Sequence, residues 1–246
     1  KMDFGSLEAA FQSGIRCMFL CNPHNPAGRV WTRDELARLG DICLRHGVTV
    51  IADEIHCELV MPGHTYTPYA SVSEAMRHGS VTCLSPTKSF NMAGLQIAAI
   101  VSDDADVRRR IDRAININEV CDVNPFGIEA TIAAYDEGEP WLLQLLDYLK
   151  GNYDFMCDYC REHLPEFPLT ELEGTYLVWM DCHVLGLPSE ELEERLVDES
   201  RLWLNAGTMY GAAGEGFMRW NIACPRARLA EALERFTEFH NRTKHS

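Results

Sequence analysis

Short apolar runs alternate with helical patterns over residues 1–110 of the chain. Runs of four or five mostly apolar or β-branched residues lie at positions 17–20, 48–52, 81–84 and 97–101. Continuous runs of this length, bounded by polar residues, predict strands. Strands that alternate with helices predict an α/β fold with a mainly parallel sheet.

The clearest helix lies between the first two of these strands. Thr32 and Glu35 have the spacing of a capping box, which predicts a helix N-terminus, and Gly47 is suited to end that helix. Its apolar face is formed by Leu36, Leu39 and Cys43. The run Val48–Ala52 then predicts a strand that is buried on both faces, as parallel strands commonly are.

The pattern changes after residue 137. The predicted elements are a long helix at 139–163, a strand at 176–180, a helix at 190–199, a glycine-rich turn region at 205–216, a strand at 217–222 and a helix at 226–239. Mixed strands and helices of this kind predict a smaller α+β domain. We therefore divide the chain into a large domain, 1–140, and a C-terminal domain, 141–246, with the boundary near the start of the long helix.

Composition narrows the choice of partners. The hydrophobic content of 46% supports a real core, and the net charge of −15 disfavours nucleic acids and anionic membranes, which bind basic surfaces. No apolar run is long enough to span a bilayer, and no secretory signal opens the sequence. The ten cysteines show no disulfide framework, and the one Cys-x-x-Cys pair, Cys157 and Cys160, lies within the predicted long helix, where two thiols are more common than a zinc site. We therefore expect free thiols, no metal and a cytoplasmic location.

Three polar clusters follow three of the predicted strands. They are Asn22–Gly28, Asp53–His56 and Ser85–Phe90. Ligands of open α/β sheets bind outside the carboxyl ends of the strands. An amide, a carboxylate, an imidazole, a hydroxyl and an amine at three such ends predict a site for a small molecule.

Lys88 in the third cluster suggests covalent chemistry. A lysine held in a reactive state acts as a nucleophile and forms a Schiff base with a carbonyl cofactor. Pyridoxal 5′-phosphate is the obvious candidate, because its lysine is paired with an acidic partner at the pyridine nitrogen. Asp53 is our candidate for that partner. Asn25 and His56 are candidate hydrogen-bond partners of the phenolic oxygen on the cofactor ring, and Ser85 is a candidate donor to the phosphate.

These clusters, together with Phe217–Arg226, resemble the fold-type-I pyridoxal-phosphate enzymes, the class I/II aminotransferase superfamily, and within it the cystathionine β-lyase (C–S β-lyase) branch. The resemblance covers essentially the whole chain and implies an aspartate-aminotransferase-like fold, with residues 1–140 as a partial cofactor-binding domain. By resemblance, Lys88 is the Schiff-base lysine and Asp53 the pyridinium partner. Arg219 falls on the arginine that grips the substrate α-carboxylate, with two parallel hydrogen bonds.

Two departures from the family pattern matter. Gln96 stands where many aminotransferases carry an arginine that holds the phosphate, which favours the lyase branch. Family members are roughly 390 residues long, above the usual single-core limit, so we expect the chain to lack about the first 145 residues of a whole enzyme. We therefore expect the chain alone to bind the cofactor weakly and to turn over poorly.

The resemblance implies an enzyme that removes a thiol from a cysteine-type thioether and releases pyruvate and ammonia. Its substrate would be an amino acid, and the complete protein would be a homodimer. Two alternatives stay open at this point. One is a class I/II aminotransferase, and the other, of a different class, is the ligand-sensing aminotransferase-like domain of a transcription regulator.

Overall fold

The protein is described by a computed structural model that covers residues 1–120 and 122–244. Its strands are β1 (Cys17–Cys21), β2 (Thr49–Asp53), β3 (Ser80–Leu84), β4 (Ala99–Val101), β5 (Leu177–Asp181), β6 (Asn205–Ala206) and β7 (Phe217–Asn221). Its α-helices are α1 (Phe4–Gln12), α2 (Arg33–His46), α3 (Glu74–His78), α4 (Ala105–Ile117), α5 (Pro125–Glu137), α6 (Glu139–His163), α7 (Ser189–Ser200) and α8 (Arg226–Thr243).

The described chain divides into two compact units. The first comprises Lys1–His24 and Val30–Leu143, and the second comprises Asn25–Arg29 and Gln144–Ser246. The division on the long helix α6 falls between Leu143 and Gln144. The second unit also includes the five-residue segment Asn25–Arg29, so the two units are not divided at a single point in the sequence.

The first unit contains a four-stranded sheet in the order β1-β2-β3-β4. The first three strands are parallel, and β4 is antiparallel to β3. The predicted mainly parallel sheet is therefore confirmed. The parallel strands are joined through helices, as parallel neighbours require.

Local sequence signals account for α2. The Thr32 side chain accepts a hydrogen bond from the Glu35 backbone N–H, and the Glu35 side chain accepts one from the Thr32 backbone N–H. Gly47 ends the helix with φ of +62°, a left-handed conformation that glycine adopts without steric cost. The predicted capping box and C-terminal glycine are both confirmed.

The core of the first unit lies on one face of the sheet. Leu36, Leu39 and Cys43 of α2 are buried together with Val50 and Ala52 of β2. The opposite face of β2 carries Thr49, Ile51 and Asp53, which are exposed or only half-buried. The prediction that this strand is buried on both faces was therefore wrong. In the described chain its second face borders a groove lined in part by α4.

The sequence analysis did not identify α4 and α5, although both carry start signals. The Asp104 side chain accepts hydrogen bonds from the backbone N–H groups of Asp106 and Val107, as an N-cap does. Asn124 caps α5, and Pro125 occupies its first turn, where a missing N–H has no cost. α4 does carry an apolar stripe, Val107, Ile111 and Ala114, which lines the groove beside β2, although none of its residues is buried.

The second unit contains an antiparallel three-stranded sheet in the order β5-β7-β6. The segment Asn25–Arg29 is attached to this unit by backbone hydrogen bonds. The Gly28 carbonyl accepts from the N–H groups of Glu173 (2.8 Å) and Gly174 (2.9 Å), and Arg29 pairs with the Glu173 carboxylate at 2.5 Å. φ at Gly28 is +67°, a left-handed conformation that favours glycine, and a Cβ there would lie 2.7 Å from Leu172 Cδ1, so a larger residue would also displace that side chain.

Across residues 1–120 and 122–244, no helix combines the length and the apolar character needed to cross a membrane. Nine cysteines of these ranges are free thiols, and Cys121 lies outside the described residues.

Candidate active site

The parallel strands of the first unit end side by side. Cys21 of β1 pairs with Asp53 of β2, and Asp53 pairs with Cys83 of β3. Neighbouring strands of a sheet are about 4.8 Å apart, so the segments that follow these residues leave the sheet at one edge. The clusters that begin at Asn22, Asp53 and Ser85 therefore start together, as their positions in the sequence predicted.

Asp53 is the last residue of β2 and is half-buried. Its Oδ1 accepts a hydrogen bond from the Ile55 backbone N–H at 3.3 Å, which leaves the second carboxylate oxygen available. The Asp53 backbone carbonyl accepts from the Asn22 N–H at 2.9 Å. A groove of about 520 Å³ beside Asp53 is also lined by His24 and Trp31. Burial lowers the pKa of His24, which favours its neutral form.

Two buried polar side chains next to Asp53 hold the same segment, residues 66–69. Asn22 is fully buried, and its Nδ2 donates to the Thr67 carbonyl at 3.0 Å. Glu54 is 1% exposed, and its two oxygens accept from the Tyr69 backbone N–H (2.8 Å) and the Tyr66 hydroxyl (2.5 Å). Asn22 and Glu54, which both adjoin Asp53, are thus hydrogen-bonded to residues 66–69. These bonds stabilise the backbone that carries the Asp53 carboxylate.

Burial is the largest cause that raises the pKa of Glu54, and hydrogen bonds from Tyr66 and Tyr69 oppose it. A carboxyl with a raised pKa keeps its proton to higher pH in the folded state than in the unfolded chain. The free energy of unfolding therefore falls as the pH rises from the ordinary carboxyl value of 4.5 through the raised pKa.

We expect Glu54→Gln to reduce this pH dependence, because glutamine has the same shape and no charge to desolvate. The variant should be at least as stable as wild type at about pH 7, whereas Tyr66→Phe should lower the free energy of unfolding by about 1–3 kcal/mol. Urea unfolding between about pH 4.5 and 7.5 measures both effects. Identical pH slopes for wild type and Glu54→Gln would contradict the assignment.

His56 lies in the tight turn after β2 and is 3% exposed. Its backbone carbonyl accepts from the Leu59 N–H at 2.9 Å, which closes this turn. The structure thus places His56 three residues beyond Asp53 on the same loop, in a buried setting. Its contact with a ring oxygen stays a prediction.

Lys88 lies in the loop that follows β3 and is half-buried. The loop is held by backbone hydrogen bonds from Phe90 N–H to the Pro86 carbonyl and from Met92 N–H to the Thr87 carbonyl, both 2.9 Å. No carboxylate of the described residues lies within ion-pair distance of the Lys88 amine. An ion pair would stabilise the protonated amine, so this setting is compatible with a nucleophilic lysine.

Ser85 is used within its own loop. It is 5% exposed, and its hydroxyl donates to the Ile97 carbonyl at 2.6 Å and lies 2.7 Å from the Thr87 hydroxyl. A hydroxyl has one proton to donate, so a bond from Ser85 to a phosphate requires the hydroxyl to turn away from Ile97. Gln96 stands at the position where many aminotransferases carry a phosphate-binding arginine. It is exposed and has φ of +51°. The phosphate contact of Ser85 stays a prediction.

Arg219 belongs to the second unit and is held by neutral partners. Its Nη1 donates to Asn25 Oδ1 at 3.0 Å, and its Nη2 donates to Asn205 Oδ1 at 2.6 Å. Its Nε is buried and has no hydrogen-bond partner among the described residues. No carboxylate in the described ranges lies within 4.0 Å of the guanidinium. An arginine with an unused buried donor and no counter-charge is suited to bind an anionic group.

Aromatic side chains pack around this guanidinium. Arg219 lies over the Tyr210 ring, with its central carbon 5.0 Å from the ring centroid. The Tyr210 ring contacts Trp179 edge-on at 5.8 Å, and Trp179 stacks on Phe217 at 5.3 Å. Burial raises the pKa of Tyr210 and of Tyr176, so both phenols stay neutral near pH 7. The aromatic packing orients the arginine without neutralising it.

The structure thus gathers the six predicted site residues into two groups. Asp53, His56, Ser85 and Lys88 lie on two neighbouring loops of the first unit, and Asn25 is bonded directly to Arg219 in the second. The contact of Asn25 with a cofactor ring stays a prediction; in the structure its side-chain oxygen accepts from Arg219. Sequence reasoning missed Asn205, which is separated from Arg219 by 14 positions.

The profile of the aminotransferase class I and II family matches residues 1–236. The chain is 40% identical over 235 residues to cystathionine β-lyase PatB of Bacillus subtilis and 34% identical over 233 residues to protein MalY of Escherichia coli. These matches cover 95% and 94% of the chain but 61% and 59% of the two relatives.

Solved structures of the same kind of enzyme are also similar to this chain. Cystalysin from Treponema denticola, which contains a pyridoxal 5′-phosphate cofactor, superposes with a TM-score of 0.94 at 31% identity. A PLP-bound C–S lyase from Staphylococcus hominis superposes with a TM-score of 0.88 at 29% identity. The two matches cover 97% and 96% of the chain and 61% and 62% of those proteins. The chain therefore belongs to the aminotransferase class I and II family, with the aspartate-aminotransferase-like fold that the sequence predicted, and it spans about three-fifths of the length of these relatives.

Proposed function

We propose that the protein containing this chain is a pyridoxal 5′-phosphate-dependent C–S β-lyase that acts on amino acids of the cysteine-thioether type, such as cystathionine. The observation that carries the proposal is Arg219, whose guanidinium has only neutral partners and a buried Nε without a partner among the described residues. This arrangement suits the carboxylate of an amino acid. The names of its relatives in the family support a lyase.

The side chains of the first unit have the chemistry that the cofactor requires. Lys88 offers an amine without an ion pair among the described residues, and Asp53 offers a carboxylate oxygen at the end of the adjacent strand. The phosphate has fewer evident ligands, because the Ser85 hydroxyl donates to Ile97. The residues thus fit the reactive part of the cofactor better than its phosphate.

In this proposal Lys88 would hold the cofactor and Asp53 would face its ring nitrogen. When bound, pyridoxal phosphate supplies an aldehyde and a ring that withdraws electrons from the substrate Cα. Arg219 binds the substrate carboxylate with parallel hydrogen bonds and thereby orients the amino acid. The Lys88 amine, once released by the substrate amine, accepts the proton from Cα as a general base.

The overall reaction breaks the bond between Cβ and sulfur. The electron pair of the Cα–H bond forms the Cα–Cβ double bond, and the pair of the C–S bond leaves with sulfur, which takes up a proton to give a thiol. Water then releases the remaining three-carbon fragment as pyruvate and ammonia. The sum is one thioether amino acid and one water converted to thiol, pyruvate and ammonia, without an oxidant or reductant.

The complete protein should release pyruvate and a free thiol when incubated with cystathionine and pyridoxal phosphate. Pyruvate is measured with lactate dehydrogenase and the thiol with a chromogenic disulfide. In a parallel reaction, an amino acid with 2-oxoglutarate should yield little glutamate. Glutamate formation without pyruvate would replace the lyase with an aminotransferase.

A third outcome addresses the regulator alternative. Cofactor binding and a spectral change on adding an amino acid, with neither pyruvate nor glutamate released, would indicate a ligand sensor and would contradict the enzyme. The homodimeric state, the cytoplasmic location and the division into a cofactor domain, 1–140, and a C-terminal domain, 141–246, belong to the same proposal. Equilibrium sedimentation of the complete protein tests the first of these.

A further inference from the structure

The Glu58 carboxylate joins the loop that carries Asp53 to the loop that carries Lys88. Its Oε2 accepts a hydrogen bond from the Ser89 hydroxyl at 2.7 Å, and its Oε1 accepts one from the Tyr135 hydroxyl at 3.0 Å. Glu58 lies five residues after Asp53, and Ser89 directly follows Lys88. One half-buried side chain therefore connects both predicted cofactor loops with α5.

The bond to Ser89 is the stronger of the two. Ser89 is fully buried, so its hydroxyl has no access to water as an alternative partner. A hydroxyl that donates to a carboxylate at this distance forms a charge-assisted hydrogen bond. No cation among the described residues lies within ion-pair distance of Glu58. The carboxylate is therefore held by two hydroxyl donors rather than by a counter-charge.

The pKa values of neighbouring groups reflect the same carboxylate. Burial and then the charge of Glu58 raise the pKa of Cys57 and of Tyr135. Both therefore keep their protons near pH 7. The two groups that donate to Glu58, the hydroxyls of Ser89 and Tyr135, are neutral.

The chain on both sides of Lys88 is anchored. On the N-terminal side, Ser85 donates to the Ile97 carbonyl at 2.6 Å. On the C-terminal side, the Phe90 ring contacts Tyr135 edge-on at 5.9 Å and stacks on Trp141 at 6.0 Å. Between these anchors, the Glu58–Ser89 bond links the lysine loop through a side chain to the loop of Asp53.

We propose that Glu58 is a positioning residue that sets the place of the Lys88 amine through the buried hydroxyl of Ser89. The proposal rests on the proposed function, because it presumes that Lys88 is the reactive group. Displacement of a reacting group by about 1 Å can lower a rate a hundredfold. A bond that fixes the residue next to the lysine therefore affects chemistry more than stability.

Two conservative variants separate positioning from mere support of the fold. Ser89→Ala removes the hydroxyl on the lysine side of Glu58, and Tyr135→Phe removes the hydroxyl on the α5 side but keeps the ring that packs on Phe90. Each deletes one donor to the same carboxylate. Both are made in the complete protein. Readouts are thermal stability, the dissociation constant of pyridoxal phosphate, the pH midpoint of the visible absorbance of the bound cofactor, and kcat and KM.

We expect Ser89→Ala to shift the pH midpoint by about half a unit or more and to weaken cofactor binding about tenfold. Its kcat should fall with little change in KM, because the carboxylate clamp at Arg219 is untouched. Tyr135→Phe should leave the pH midpoint unchanged and keep cofactor affinity within about twofold. Glu58→Gln retains an oxygen acceptor for Ser89 and should lie between the two.

Equal loss of stability in Ser89→Ala and Tyr135→Phe, with an unchanged pH midpoint in both, would overturn the proposal and assign Glu58 to the fold alone. If Ser89→Ala does not fold, the same comparison is made with Glu58→Ala, which removes both acceptor oxygens, and an unshifted midpoint there overturns it. A wild-type protein that forms no absorbing link between cofactor and Lys88 would contradict the proposed function itself, and the positioning role with it. Wild-type absorbance with unshifted variants contradicts only the positioning role.

Discussion

Replacing Lys88 by alanine will abolish the visible absorbance of bound pyridoxal phosphate and lower kcat/KM for cystathionine by at least about a thousandfold. In our proposal the amine both holds the cofactor and moves the Cα proton, so its loss removes two functions at once. The side chain is half-buried and has no ion pair in the described part of the chain. Absorbance spectra and borohydride trapping of the cofactor measure the first effect, and pyruvate release measures the second.

Lys150→Ala provides the matched control. Lys150 is one of four lysines in the chain, and its amine is engaged in an ion pair with Asp154 at 2.5 Å on α6. This variant should keep the cofactor absorbance and the activity of wild type. Cofactor trapped on a lysine other than Lys88 would remove the basis of the proposed chemistry.

Replacing Arg219 by lysine will lower kcat/KM by about a hundredfold to a thousandfold. A lysine keeps the positive charge, but it is a point donor and lacks the planar fork that forms two parallel bonds to a carboxylate. It also leaves Asn25 and Asn205 without the donors that they now have. Because the cofactor-linking lysine is unaffected, the absorbance of bound cofactor should persist while substrate saturation weakens. Steady-state kinetics with cystathionine measures the effect.

Arg226→Lys is the appropriate control for Arg219. Arg226 is also held by an amide oxygen, Asn152 Oδ1 at 2.6 Å, and lies over an aromatic ring, Phe155 at 5.1 Å. It differs in lying at the start of α8, outside the proposed site. Its substitution should affect stability more than kinetics. An Arg219→Lys variant with wild-type kcat/KM would show that the guanidinium does not bind the substrate carboxylate.

Much of the fold could be predicted because its signals are local. The capping box of Thr32 and Glu35, the glycine at position 47 and the apolar runs of β1, β2 and β3 each depend on residues close in sequence. The long helix α6 has the predicted bounds, 139–163. Leu229, Leu233 and Phe236 of α8 are buried as the helical period predicted. Burial of the second face of β2 was predicted wrongly, because the composition of a strand does not state what covers it.

Part of the candidate site was also accessible from the sequence. Asp53 and Lys88 were recognisable because they directly follow apolar strands, and parallel strands end at one edge of a sheet. The roles of Glu58 and Ser89 could not be predicted from the sequence. Glu58 is 31 positions from its partner Ser89 and 77 positions from its partner Tyr135. An acidic residue and a serine in polar segments carry no pattern that distinguishes a buried bond from a solvated surface.

The sequence by itself determined where most strands and several helices lie, which residue types stand at the strand ends and, through its motifs, the family of the protein. It could do so because capping, periodicity and strand composition depend on the physical chemistry of near neighbours. Only the tertiary structure decided that Asn25 bonds to Arg219 across 194 positions, and that Glu58 connects the segment of Asp53 to that of Lys88. Such bonds depend on packing between distant segments, which places a donor and an acceptor within reach and withdraws both from water.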